Sequence, residues 1–242
     1  MQSAGRSGIL PAMQRILTGD GEGPVVDAAT VVLLRDGDTG WGAGPECLML
    51  RKTKGQSFGG LWVFPGGRLE PSDGTGLDGA RHATVREVAE ETGLVVSPGE
   101  LVPLSHWMPP AAAPKRFATW FFLTALPEGA ADVVVDGGEI GDHRWTTAAS
   151  VLERHRAGEV DLVPPTWVTL RWLSEWATVG DALAAAGARD IERYSTHILD
   201  DAGTLVSVWA PDAAYESGDL SAAGPRHRLY MDPAGWRFER RD

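Results

Sequence analysis

The sequence predicts an α+β fold, an α/β/α sandwich followed by a small β-rich appendage, and three observations predict it. Runs of β-branched and aliphatic residues, strongest over 25–34 and 117–126, indicate buried strands. Residues 80–92 contain neither Gly nor Pro and end before Gly93, as a helix with a left-handed C-terminal cap does. After Asp181 the pattern changes to short apolar runs separated by turn residues.

The predicted elements alternate between strands and helices along the main part of the chain. The strands predicted there are 25–34, 48–51, 61–64, 101–107, 117–126 and 139–145. The predicted helices are 79–92, 147–157 and 166–179. The appendage is predicted to hold strands at 194–199, 205–209, 228–231 and 236–238. This order favours a sheet covered by helices.

The length of 242 residues allows one enlarged domain or a domain with an appendage. We expect a flexible or short helical lead-in over 1–25, a main domain over 26–180 and a β-rich extension over 181–242. Hydrophobic residues make up 43% of the chain and charged residues 23%, which is ordinary for a soluble globular protein.

The charge and the cysteine content exclude several classes of protein. The formal net charge of -11 argues against a broad basic face that coats nucleic acid. Cys47 is the only cysteine, so neither an intramolecular disulfide nor a cysteine-based zinc site can form. No segment approaches the roughly 18 apolar residues of a membrane span, and the first residues lack the apolar core of a signal peptide. We therefore expect a cytoplasmic protein without a membrane partner.

Three glutamates near the end of the first predicted helix break the local rules of helix stability. Glu87, Glu90 and Glu91 are spaced so that their side chains share one helix face. Their mutual repulsion is unfavourable, and the partially negative C-terminal end of the helix adds to it. A divalent cation would compensate for both effects, and hard oxygen ligands favour Mg²⁺ or Mn²⁺ over zinc. A solvated acidic face is the alternative that the spacing leaves open.

The surroundings of these glutamates favour the metal site. Arg86 precedes Glu90 by four residues and can hold its carboxylate. The segment 65–70 supplies a glycine-rich loop before the helix, where the backbone can approach a ligand closely.

Gly67 and the segment 86–94 resemble the signature of the Nudix hydrolases. That signature is a glycine, then a glutamate, then Arg-Glu-aliphatic-x-Glu-Glu-x-Gly-aliphatic, and the second half matches at every defined position. The first half departs at the position of its glutamate. Asp73 lies at the expected interval after the glycine and Asp78 at the expected interval before Arg86, but neither aspartate satisfies both intervals. The simplest account is a five-residue insertion that lengthens the loop and leaves the helix register intact.

The resemblance extends over roughly residues 26–175 and implies a Nudix-type sandwich with a mixed sheet. Segments 51–64, 106–122 and 139–145 look like the coenzyme A diphosphatase-like branch. The implied activity is hydrolysis of the diphosphate linkage in a nucleoside diphosphate-X compound, with Mg²⁺ or Mn²⁺ activating water. The implied partner is therefore a small nucleotide-type molecule: a coenzyme A derivative, ADP-ribose, a sugar nucleotide or a noncanonical nucleotide.

The resemblance also implies roles for particular residues. The metal ligands would be Gly67, Glu87, Glu90 and Glu91, and the catalytic group comprises these glutamates with Arg86 and Glu139. Glu139, which follows the helix glutamates in the chain, is the candidate for a further acidic residue of the site, either as a metal ligand or as the general base. Substrate binding is assigned to Arg51, Arg68, Arg116 and Phe117, and Lys52 adds to the local basic supply for phosphates.

Three alternatives remain open at this point. Residues 55–59 match GxSxG, the serine-hydrolase elbow, but that motif needs a helix after it and Pro65 follows instead. A catalytically silent Nudix domain that binds a nucleotide or a protein partner would retain the fold. The tryptophan-rich segment 167–176 could also form a homodimer.

Overall fold

The computed structural model describes residues 23–37, 44–53, 59–135 and 137–242. The predicted lead-in over 1–25 lies outside these residues except for its last three, and residues 55–58 of the GxSxG segment lie outside them as well. Within the described ranges, every helix is too short or too polar to cross a membrane.

Eight strands form a mixed main sheet. They are β1 (Val25–Arg35), β2 (Glu46–Lys52), β3 (Trp62–Val63), β4 (Gly66–Arg68), β5 (Val102–Met108), β6 (Arg116–Ala125), β7 (Ile140–Thr147) and β8 (Glu192–Ser195). The order is β3-β2-β1-β6-β5-β8, with β4 beside β1 and β7 beside β2. β1 pairs with β6 and β5 with β8 in parallel, and the other pairs are antiparallel. This confirms the predicted α+β architecture.

Helices cover both faces of the main sheet. They are α1 (Gly76–Thr92), α2 (Ala148–Arg156), α3 (Pro164–Leu173) and α4 (Val179–Gly187). Side chains of β1 alternate between two cores, because successive residues of a strand point to opposite faces. Val31 packs in the core that contains Val88 of α1, whereas Val32 packs in the core that contains Leu170 of α3. Among the described residues, α1 therefore packs on one face of the main sheet and α2 to α4 pack on the other.

Helix α1 begins at Gly76, three residues earlier than predicted, so part of the expected loop insertion is helical. Glycines at positions 76 and 79 hide this turn in the sequence, because glycine has low helix propensity. The turn is held by packing: a Cβ at Gly79 would lie 2.6 Å from the carbonyl carbon of Gly74. The helix ends as predicted at Gly93, whose φ of 69° is left-handed and whose N–H bonds to the carbonyl of Ala89.

The C-terminal extension holds a second, antiparallel sheet. Its strands are β9 (His197–Asp201), β10 (Thr204–Val208), β11 (Arg226–Tyr230) and β12 (Arg237–Arg241), in the order β12-β11-β10-β9. A short helix, α5 (Ala214–Ser217), joins β10 to β11. Inside this unit, Asp212 accepts two hydrogen bonds from the buried guanidinium of Arg228, at 2.6 and 2.8 Å.

Three predicted elements were wrong in detail. The run 194–199 is two strands in two different sheets, with Thr196 between them donating its N–H to the carbonyl of Met108. The glycine-rich segment after Pro65 contains strand β4, which pairs with β1 because glycine allows the backbones to meet there. The last predicted helix ends at Leu173, and α4 follows as a separate helix.

The tryptophan-rich segment 167–176 packs largely within the chain. Trp167 is buried, and Trp172 and Trp176 pack against the same core as Leu170. Homodimer formation through this segment stays a prediction.

Candidate active site

Of the three helix glutamates, Glu91 is buried against the main sheet and Glu87 is partly buried. The Glu91 side chain is 6% exposed and that of Glu87 is 15% exposed, whereas that of Glu90 is 60% exposed. Glu91 Oε2 accepts the backbone N–H of Gly66 at 2.8 Å, which ties the end of α1 to the start of β4. The solvated acidic face that the sequence left open is therefore wrong for Glu87 and Glu91.

Lys52 is the buried cation of this site. Its Nζ donates to Glu91 Oε1 and to Glu139 Oε1, both at 2.7 Å. Burial by itself lowers the pKa of Lys52, but the Glu91 charge and the hydrogen bonds to both glutamates outweigh it, so the pKa is raised. The predicted association of Glu139 with the helix glutamates is thus made through Lys52, which the sequence had suggested only as a phosphate contact.

The sequence contained a signal for this position of Lys52. Leu48 and Leu50 precede it at two-residue intervals and pack in the α1 core, so strand alternation directs Lys52 to the same face. Arg51 is directed to the opposite face. There it lies 3.7 Å from Asp142 and over the Trp62 ring.

Arg86 holds three carboxylates together. Its guanidinium donates to Glu87 at 2.8 Å, to Glu90 at 3.2 Å and to Asp73 at 2.9 Å. It also donates to the backbone carbonyl of Arg68 at 3.0 Å. The contact with Glu90 confirms the pairing that the four-residue spacing predicted.

Asp73 and Asp78, which the sequence could not separate, lie in different environments. Asp73 is 7% exposed and hydrogen bonds from Arg86 hold its pKa below the usual range. Asp78 is exposed, and its carboxylate accepts a hydrogen bond from Arg81 at 3.2 Å. The aspartate at the expected interval from Gly67 is therefore the one that meets Arg86.

Gly67 lies directly against the side chain of Glu87. A Cβ at this position would lie 2.3 Å from Glu87 Oε1, a distance that no side chain permits. Burial raises the pKa of Glu87, and the hydrogen bond from Arg86 offsets this only in part. Burial likewise raises the pKa of Glu91 despite the charge of Lys52.

The predicted substrate-binding residues lie at several places around the sheet. Arg51 is on the face opposite α1, as described, and Arg68 ends β4 with an exposed side chain. Arg116 and Phe117 begin β6, which is separated from β4 by β1. Their binding role stays a prediction.

The comparison with family models decides the family of the chain. A model described as the NUDIX domain matches residues 25–165. This range includes the glutamate site, by which we mean the three helix glutamates with Lys52, Arg86 and Glu139. The chain belongs to the Nudix family. This assignment places it among the Nudix hydrolases, enzymes that act on diphosphate compounds. Among curated proteins, no relative matches the chain.

One solved structure supports the Nudix fold, and two others show a weaker similarity to the chain. A NUDIX hydrolase from Alicyclobacillus acidocaldarius is 24% identical and has a TM-score of 0.60, covering 67% of this chain and 97% of that chain. An Ap4A hydrolase from C. elegans is 20% identical with a TM-score of 0.45, covering 66% of this chain and 98% of its own. A bifunctional NMN adenylyltransferase/ADP ribose pyrophosphatase from Francisella tularensis, solved with AMP and a Mn ion, is 18% identical with a TM-score of 0.45, covering 63% and 42%.

The Nudix assignment also removes the serine-hydrolase alternative. A nucleophile elbow requires a helix directly after the serine. From Gly59 onwards the described chain instead forms β3 and β4, followed by a single 3-10 turn before α1. The context that the elbow needs is missing.

The donors of the Nudix site fit a divalent cation in kind. Carboxylate oxygens and a backbone carbonyl are the ligands that Mg²⁺ and Mn²⁺ prefer. Because Gly67 has no side chain, the Glu87 carboxylate has room to lie against the backbone of β4. In the described residues no three acidic, histidine or cysteine side chains form a cluster that could hold a metal. The carboxylates of the three helix glutamates are paired with Arg86 or Lys52.

Proposed function

We propose that this Nudix protein hydrolyses the diphosphate linkage of a nucleoside diphosphate-X compound with the help of Mg²⁺ or Mn²⁺. The observation that carries the proposal is the burial of Glu87 and Glu91 against Gly66 and Gly67, where desolvation raises the pKa of both carboxyl groups. Buried acids with perturbed pKa values are characteristic of functional sites. A small nucleotide-type diphosphate is the partner that this proposal implies.

Four groups would hold the metal: the carboxylates of Glu87, Glu90 and Glu91 and the carbonyl of Gly67. A divalent cation bound there neutralises diphosphate charge and lowers the pKa of water. The Glu90 side chain is exposed, so it can reach toward solvent and substrate. Its carboxylate accepts a hydrogen bond from Arg86 at 3.2 Å.

The remaining residues of the site position these ligands. Arg86 keeps Glu87 and Glu90 on one side of α1, and Asp73 fixes the guanidinium from the loop before the helix. Lys52 donates a hydrogen bond to Glu91, which opposes the effect of burial on the pKa of Glu91, and it anchors Glu139 at the same place. Glu139, whose side chain is about half exposed, is our candidate for the proton acceptor.

The test is a screen of diphosphate compounds with the purified protein and either metal. The panel holds coenzyme A derivatives, ADP-ribose, sugar nucleotides and noncanonical nucleotides, and mass spectrometry in ¹⁸O-water identifies the products. We expect one labelled oxygen in a phosphate product, because water attacks phosphorus. If no compound of the panel yields a hydrolysis product, the result would contradict hydrolysis and favour a catalytically silent domain that binds a nucleotide.

Matched variants test the assignment of the glutamates. Glu90→Gln and Glu91→Gln should each lower kcat by about three orders of magnitude while the circular dichroism spectrum stays native. Glu153→Gln, a change at an exposed helix glutamate of α2, is the control and should keep the rate of the wild type. Near-normal rates for Glu90→Gln or Glu91→Gln would overturn the metal assignment, and Mn²⁺ binding followed by electron paramagnetic resonance provides a readout independent of activity.

A further inference from the structure

A cavity of about 350 Å³ lies between α3, the β5 and β8 strands of the main sheet, and β12 of the second sheet. Its lining residues Leu104, Trp107 and Tyr194 belong to the core on the side of α2 to α4. Glu87 and Glu91 lie on the other face of the sheet, with α1. The cavity is therefore separate from the glutamate site, and it has a volume at the lower end of those that hold small ligands.

The base of the cavity is aromatic. The rings of Trp107 and Tyr194 stack with centroids 3.7 Å apart and planes within 2° of parallel. Both rings are buried, and Ser105 accepts the indole N–H of Trp107 at 2.9 Å. This base is rigid, since each ring is fixed by its neighbour and by the strands β5 and β8 that carry them.

The walls carry more positive than negative charge, although the whole chain is acidic. Three arginines and two glutamates line the cavity: Arg171, Arg189, Arg240, Glu175 and Glu192. Arg171 is paired with Glu175 at 2.7 Å, and Arg240 with Glu192. Arg189 must then share Glu192, from which its guanidinium is 3.8 Å away, beyond ordinary hydrogen-bond distance.

Arg189 is the incompletely paired cation of this cavity. Its Nε is buried and has no hydrogen-bond partner among the described residues. Its guanidinium carbon lies 4.8 Å from the centroid of the Trp172 ring, which fixes the plane of the group. The Arg189 side chain as a whole is 31% exposed, so its terminal N–H donors, rather than the buried Nε, are the ones that an anion in the cavity can reach.

We propose that this cavity binds a small organic anion, a phosphate ester or a carboxylate that also carries a planar or apolar group. The anion pairs with Arg189, because a guanidinium presents parallel N–H donors that match the oxygens of either group. The planar part lies against the aromatic base formed by Trp107 and Tyr194. The ligand contacts residues of both sheets, so its binding strengthens the attachment of the C-terminal extension to the main sheet.

The test is an NMR titration of the full chain after metal has been removed on a chelating resin, so that metal-dependent binding at the glutamate site is absent and no soluble carboxylate competes. The probes are phenyl phosphate, benzoate and the uncharged benzyl alcohol, and the signal followed is the Nε–Hε correlation of Arg189. We expect a saturable shift of this signal with at least one anion. Comparison of phenyl phosphate with benzoate identifies the preferred anionic group, whereas benzyl alcohol should bind at least about tenfold more weakly.

Variants separate binding from the fold. Arg189→Gln should weaken binding of the preferred probe by about tenfold or more, whereas Arg156→Gln, at an exposed arginine of α2 outside the cavity, should leave it unchanged. If Arg189→Gln does not fold, the wild-type shift of the Nε–Hε signal decides by itself. Three results would each overturn the proposal. The signal could stay unshifted at about 10 mM of both anions, or benzyl alcohol could bind as tightly as the anions. Folded Arg189→Gln protein could also bind the preferred probe as tightly as the wild type does.

Discussion

Asp73 accepts two hydrogen bonds from Arg86, at 2.9 and 3.4 Å, although thirteen residues separate them in the chain. The contact joins the 3-10 turn before α1 to the middle of that helix. It fixes the guanidinium that holds Glu87 and Glu90.

We expect Asp73→Asn to destabilise the protein by about 1–3 kcal/mol, because Arg86 loses a charged, buried hydrogen-bond partner. Asp78→Asn is the matched control and should change the free energy of unfolding by less than about 0.5 kcal/mol, since Asp78 is exposed. Urea denaturation of both variants measures the difference. Equal stabilities would show that Asp73 does not hold Arg86.

We expect Lys52→Met to cost about 3–5 kcal/mol, because Glu91 then remains buried without its cation. The neighbouring change Arg51→Met is the control: Arg51 is half exposed and its contact with Asp142 is long, so about 0–1 kcal/mol is expected. Chemical denaturation compares the two proteins. A small effect of Lys52→Met would mean that Glu91 is satisfied without Lys52.

Gly67→Ala should abolish most activity without unfolding the chain. The new methyl group would displace the Glu87 carboxylate, which lies 2.3 Å from the position of that Cβ. Gly187→Ala is the control, because its Cβ would have no atom within 4 Å. Turnover and Mn²⁺ affinity are measured for both, and normal Mn²⁺ binding by Gly67→Ala would argue against Glu87 as a ligand.

His155 should make stability depend on pH. Burial lowers its pKa below the ordinary value of 6.5, opposed only in part by its bond to the Val160 carbonyl and by the charge of Asp161. The unfolded chain therefore takes up the proton first as pH falls, so the free energy of unfolding is highest above pH 6.5 and decreases from there toward the lower, folded-state pKa. His155→Gln should reduce this decrease, which urea denaturation between about pH 5 and pH 8 measures. An unchanged pH dependence would assign it to other groups.

Much of the fold followed from short-range patterns in the sequence. The strand β1 and the end of α1 were predictable, because residue alternation and a glycine cap act within a few residues. The split of 194–199 into β8 and β9 was not predictable, because it depends on Met108 accepting a hydrogen bond from Thr196, far away in the sequence. The start of α1 was hidden for a similar reason, since packing of Gly79 on the preceding loop outweighs its low helix propensity.

The grouping of Glu87, Glu90 and Glu91 with Arg86 on one helix face is predictable from the sequence alone, because helix periodicity fixes neighbours three and four residues apart. The contacts of Lys52 with Glu91 and Glu139 form only in the folded chain, because these glutamates are 39 and 87 residues away from it. Such contacts form because packing of the sheet against α1 buries charges that must then find partners. The acidic residues that the sequence presented as a row on a helix thus become, in the folded protein, a buried site with its own cations.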